Sequence, residues 1–193
     1  MTIRFACAIG ALAILSPVAS VAAERAERAD LRALDADLLG SDSATLVLDR
    51  WCDRLHLADP AKVVADRVTG ADKPAPAEVR AALKADAQTA IAYRRVRLRC
   101  GSSILSEADN WYVPARLKPE MNRTLETSDA AFGRVVAPLG FHRRTLAHIR
   151  LRTSHPIRRD SPVLQHRGVL VLADGIPISF VVETYQGALL GAR

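Results

Sequence analysis

Tyr93, Arg95, Arg97 and Arg99 stand at alternate positions within residues 91–100. In an extended chain successive side chains take opposite faces, so these four share one face while Val96, Leu98 and Cys100 share the other. A later stretch repeats the theme with His148, Arg150 and Arg152. Guanidinium groups gathered in this way attract anions. Open to water they form a solvated surface; closed over by loops or helices they become bidentate carboxylate binders. Glu183 is the matching acid, placed between Val182 and Thr184 after the largely apolar residues 176–182. Paired with a core-facing arginine it is structural, and beside a bound substrate it is a general acid or base.

Other chemistries find little support. Ser102-Ser103 lacks the setting of a nucleophile elbow, and His56, His142, His148, His155 and His166 show no HExxH or paired metal spacing. Cys52 and Cys100 with His56 do not supply four zinc ligands at recognisable spacing. No glycine-rich loop follows a strand and opens a helix, so no nucleotide, cofactor or metal is expected. The two cysteines are either one disulfide or two buried thiols.

The elements that must position these residues fall into two halves. Residues 24–39 have Leu31, Leu34 and Leu38 at helical spacing, with Gly40 as a stop. Ser41, Asp42 and Ser43 can cap a second helix whose face is Leu48, Trp51, Cys52 and Leu55. A short helix is expected over 61–68, a loop after it, and another helix over 77–87. From residue 91 the period changes to that of strands. Strands are expected over 91–100, near Ile104 and at residues 111–113, then a helix over 128–139 that Gly140 ends. A strand over 141–152 follows, and a hairpin of 166–173 and 176–184 turns at Asp174-Gly175. The fold class is therefore α+β, an antiparallel sheet of five or six strands flanked by helices.

Net charge is +6, from 27 Lys and Arg against 21 Asp and Glu, and the signs interleave along the chain. That composition fits one globular domain. The basic patches lack the aromatic interleaving of nucleic-acid binders, so no nucleic acid is expected. Residues 1–23 read as a signal peptide: Arg4, an apolar run from Phe5 to Val21, then Ala22-Ala23 before Glu24. The expected organisation is thus 1–23 as leader, 24–88 as a helical part and 89–193 as a sheet with a capping helix, one domain over 24–193. It predicts a monomer in the bacterial periplasm or secreted, with no stable membrane insertion after cleavage.

Arg94-Arg-Val-Arg-Leu-Arg-Cys100 followed by Asn110-Trp-Tyr-Val-Pro114 resembles the arginine-bearing strand and the valine-proline strand of the chorismate lyase family. Ser128-Asp-Ala-Ala-Phe-Gly-Arg134 is similar to that family's helix start, and Leu172-Ala-Asp-Gly-Ile-Pro177 to its last hairpin. The resemblance implies a pocket for an aromatic acid under helical flaps and removal of pyruvate from chorismate to give 4-hydroxybenzoate, without a metal. Counting back from Cys100, the family's carboxylate-binding arginine falls on Arg95, and its glutamate near Glu183 if one extra residue is absorbed by a bulge. Arg95 and Glu183 are thereby the expected catalytic pair. Arg97, Asp109, Asn110 and Arg150 join Arg95 as expected ligand-binding residues, although Asp109 and Asn110 replace the family's glycine and arginine. The alternative is a noncatalytic periplasmic protein that binds a small aromatic carboxylate. The same fold serves as an effector-binding module in transcription regulators; no helix-turn-helix precedes it here, and export would separate it from DNA.

Overall fold

The computed structural model describes residues 17–70 and 72–191. Six antiparallel strands form one sheet: β1 (Val64–Arg67), β2 (Ala92–Cys100), β3 (Ser103–Tyr112), β4 (His142–Arg150), β5 (Pro162–Val171) and β6 (Pro177–Gln186). Their order is β1-β2-β3-β6-β5-β4, so β3 and β6 are the central pair. Helices α1 (Pro17–Leu39), α2 (Ala44–Arg54), α3 (Ala77–Ala82), α4 (Pro119–Thr127) and α5 (Phe132–Val136) surround it. The expected α+β class with an antiparallel sheet is what the chain adopts.

Alternation along the strands produces two faces. On the inner face Val96, Leu98, Cys100, Ala108, Val181 and Tyr185 pack with Leu34, Leu38, Leu48 and Trp51 of α1 and α2. Farther along that side Tyr112 and Leu170 meet Met121 and Leu125 of α4 and Val136 of α5. On the outer face Trp111, Val169 and Phe180 lie under Val79 of α3 and the adjoining Leu83. Ser43 caps α2 as expected, its side chain accepting from Leu46 N–H. Cys52 of α2 and Cys100 at the end of β2 meet beneath this layer, with Cα atoms 6.1 Å apart.

Several elements differ from the reading of the sequence. The segment expected as a helix over 61–68 contains β1, because Ala65 faces the core and the backbone completes the sheet against Val96–Arg99 of β2. The 24–88 segment is therefore not wholly helical. The helix expected over 77–87 stops after Ala82, and Asp86 turns the chain instead by accepting from the backbone N–H groups of Gln88 and Thr89. The strands expected near Ile104 and at 111–113 are one continuous strand, β3. Proline divides the expected 128–139 helix into α5 and a 3-10 turn over Ala137–Leu139, after which Gly140 takes the left-handed conformation at φ 65°. The expected leader over 1–23 lies largely outside the described residues, and its described part, from Pro17, runs into α1 without a break at Ala23. No helix of the described residues is long and apolar enough to cross a membrane.

Candidate functional site

Strand pairing lays the inner-face residues in rows across the sheet. One row runs Arg94, Asn110, Val181 and Gly168, and the next Val96, Ala108, Glu183, His166 and His148. Above these rows, between the sheet, the start of α2 and α5, lies a pocket. It is lined by Arg94, Asn110, Arg143, Ser179 and Glu183 and walled by apolar groups that include Phe132 and Phe141. Its interior is small, about 50 Å³.

The pocket's charges are unequally matched. Arg143 reaches from β4 to Glu183, with Nη2 2.5 Å from Oε2, and both side chains are buried. Its path lies over Gly168, where an added Cβ would stand 3.3 Å from Nε. Tyr185 donates its hydroxyl to the same Glu183 oxygen at 2.9 Å. Burial opposes the charge on Arg143, but Glu183 and Tyr185 hold the proton on and raise it above the ordinary arginine range. Burial raises Tyr185 well above a free phenol, and Glu183 adds to that. Arg94 has no such partner. It is 4% exposed, donates Nη2 to the carbonyls of Ala130 at 3.0 Å and Ser128 at 3.5 Å, and leaves Nε and Nη1 buried without a protein acceptor. Burial, assisted by Arg67, lowers its pKa to about 10. A buried cation without a counter-charge is costly, and an anion bound at one of its free nitrogens offsets that cost.

The residues singled out from the sequence divide between the faces. Glu183 and Asn110 line the pocket, and Asn110 accepts from the buried Ser179 hydroxyl. Arg95 and Arg97 are on the outer face, both bound to Glu107, at 3.0 and 2.9 Å. Asp109 is there too, accepting from Tyr93 Oη at 2.6 Å and Lys73 Nζ at 3.1 Å. Arg150 stands away from the pocket, half-exposed near Asp35. Arg95 and Glu183 thus do not share a cavity, which removes the expected catalytic pair. Counting back from Cys100 chose the wrong parity: the inward arginine is Arg94, an even number of residues from Val96, Leu98 and Cys100. Alternation alone could have found it. Arg143 had no comparable local signal, since its role depends on Gly168 and Glu183 of two other strands.

Solved structures share this fold. The Effector Domain of PhnF from Mycobacterium smegmatis superposes with a TM-score of 0.51 at 12% identity, covering 72% of this chain and 90% of that one. PhnF itself superposes at 0.53 with 14% identity, over 78% of this chain and 66% of that chain. A further structure, the possible transcriptional regulator YydK from Bacillus subtilis subsp. subtilis str. 168, gives 0.47 at 15% identity over 68% of this chain, which spans 59% of that protein. By sequence, the chain belongs to the family of the Uncharacterized protein y4mC of Sinorhizobium fredii (strain NBRC 101917 / NGR234), with 46% identity over 177 residues, 83% of this chain and 75% of that protein. No family model matches.

These likenesses correct the earlier reading. The structures superposed above are PhnF and its effector domain, not lyases, so the chain is not assigned to chorismate lyase and lyase activity is withdrawn. The periplasmic or secreted assignment, read from the expected leader over 1–23, is also withdrawn: the fold is shared with PhnF and its effector domain.

Proposed function

We propose that the chain is a noncatalytic binding domain for a small organic anion, a monocarboxylate with a planar or short apolar body. The observation that carries this reading is Arg94, a buried guanidinium in the pocket whose Nε and Nη1 have no protein acceptor. A carboxylate oxygen that accepts from one of these nitrogens makes a charge-assisted hydrogen bond and neutralises the charge. Phe132, Phe141 and Leu170 supply the apolar wall beside it, which suits an aromatic ring better than a sugar. Glu183 holds Arg143 in place across Gly168 and, with its Oε2 already engaged by Arg143 and Tyr185, serves as a structural counter-charge.

Calorimetric titration with benzoate, 4-hydroxybenzoate, acetate and inorganic phosphate tests this directly. The expected result is one site per chain that prefers the aromatic carboxylates, with the bound compound recovered chemically unchanged. Absence of binding by any of the four, or turnover of a bound compound, contradicts the proposal.

A further inference from the structure

On the same inner face, beyond the pocket, Asp35 of α1 is 4% exposed. His166 Nε2 of β5 lies 2.9 Å from its Oδ1, and His148 Nδ1 of β4 lies 3.3 Å from the same oxygen. We infer that Asp35, His148 and His166 form a binding site for a divalent transition-metal ion of the zinc type.

Geometry supports the inference first. One donor atom from each residue falls within 4.8 Å of the others. Tetrahedral coordination with bonds of about 2.0–2.2 Å sets donor atoms roughly 3.3–3.5 Å apart. The two carboxylate–imidazole separations are within a few tenths of an ångström of that edge, and the two imidazole donors lie within 4.8 Å of each other. The donors sit on a helix and two strands, and sheet pairing fixes His148 directly across from His166.

That juxtaposition depends on a bulge. On β4 the inward positions are Arg143 and Thr145, opposite Leu170 and Gly168; after the register shift between Thr145 and Ala147 they are His148 and Arg150, opposite His166 and Leu164. The extra residue reverses the parity and turns His148 toward Asp35. The charge balance points the same way. Asp35 is a buried carboxylate whose sole arginine neighbour, among the described residues, is Arg150, with Nη2 3.6 Å away and a side chain 54% exposed. A buried anion needs a closer counter-charge. His166 is fully buried and its Nδ1 has no partner, so Asp35 alone orients the ring within the protein.

The donor set selects the ion class. Two imidazoles and one carboxylate suit zinc and neighbouring transition metals, whereas magnesium and calcium favour oxygen donors throughout. Three protein ligands leave a fourth position, and the half-exposed side chains of His148 and Arg150 place it toward solvent. A water completes the coordination there.

The experiment uses the full chain, stripped with a chelator and titrated with Zn²⁺ by calorimetry and with Co²⁺ by visible absorption. One equivalent of each is expected, with Co²⁺ giving the intense visible bands of a four-coordinate site. His148→Ala removes a half-exposed side chain and should weaken Zn²⁺ binding by roughly tenfold or more. Arg150→Ala should bind at least as tightly as the parent chain, since it removes a competing cation. His142→Ala, at an exposed pair with Asp42, should change nothing. Absence of stoichiometric binding, or binding that His148→Ala leaves unaltered, overturns the assignment. Circular dichroism of His148→Ala confirms that the comparison is between folded proteins.

Discussion

Glu183 is buried on the inner face of the sheet. Its carboxylate neutralises Arg143 inside the protein, where an ion pair that loses one member leaves a charge without compensation. Glu183→Gln is therefore expected to destabilise the fold by about 3–5 kcal/mol, read as a lower urea midpoint at unchanged slope. An unchanged midpoint would mean that the pair contributes nothing. The tyrosines make a second residue-level prediction. Burial and Asp109 lift Tyr93 to about 12, and burial also raises Tyr112 and Tyr185 above the ordinary 10.0. A folded-state pKa above the unfolded value means that the native protein holds protons the unfolded chain releases. The associated stability is fully present below about pH 10 and is lost as pH rises through the folded values. Ultraviolet titration of the folded chain near pH 10 should show far less than half the tyrosinate of the unfolded chain; equal amounts would refute the buried settings of these side chains.

Among the elements, the β2–β3 hairpin was partly legible and partly not. Gly101 turns the hairpin at φ 56°, with an added Cβ only 2.7 Å from the Leu57 carbonyl oxygen. Gly101→Ala therefore combines an unfavourable backbone conformation with a steric clash, and is expected to cost about 1–3 kcal/mol in chemical denaturation. A loss below the error of that measurement would show that the turn relaxes freely. The last hairpin was equally readable from Asp174-Gly175, as was the Ser43 cap. What could not be read locally was the identity of β1, four residues whose strand conformation depends on pairing with β2. The pocket divides in the same way. Alternation along β2 identifies Arg94, but no local pattern shows that Gly168 makes room for Arg143, or that a bulge in β4 turns His148 inward. Those features arise from contacts between strands, and a one-residue shift exchanges the two faces.

At the scale of the whole molecule, the sheet separates two uses of charge. Beside the apolar cluster under α3, its outer face carries solvated pairs, Arg95 and Arg97 with Glu107 and Arg99 with Asp66, each worth about 0–1 kcal/mol. Its inner face, closed by α1, α2, α4 and α5, holds the buried charges and the pocket. We expect Cys52 and Cys100 to tie α2 to the end of β2 as a disulfide across 48 residues, contributing on the order of 2–4 kcal/mol. Thiol titration of the unfolded, unreduced full chain should then find one reactive group, that of Cys7, whereas three would rule the bridge out. The proposed carboxylate binding belongs to the inner face and to Arg94. It is tested most directly by calorimetric titration of Arg94→Met and Arg95→Met with the tightest-binding aromatic carboxylate. Arg94→Met should lose about 2–5 kcal/mol of binding free energy while Arg95→Met binds as the parent chain does. Retained binding in Arg94→Met together with loss in Arg95→Met would contradict it.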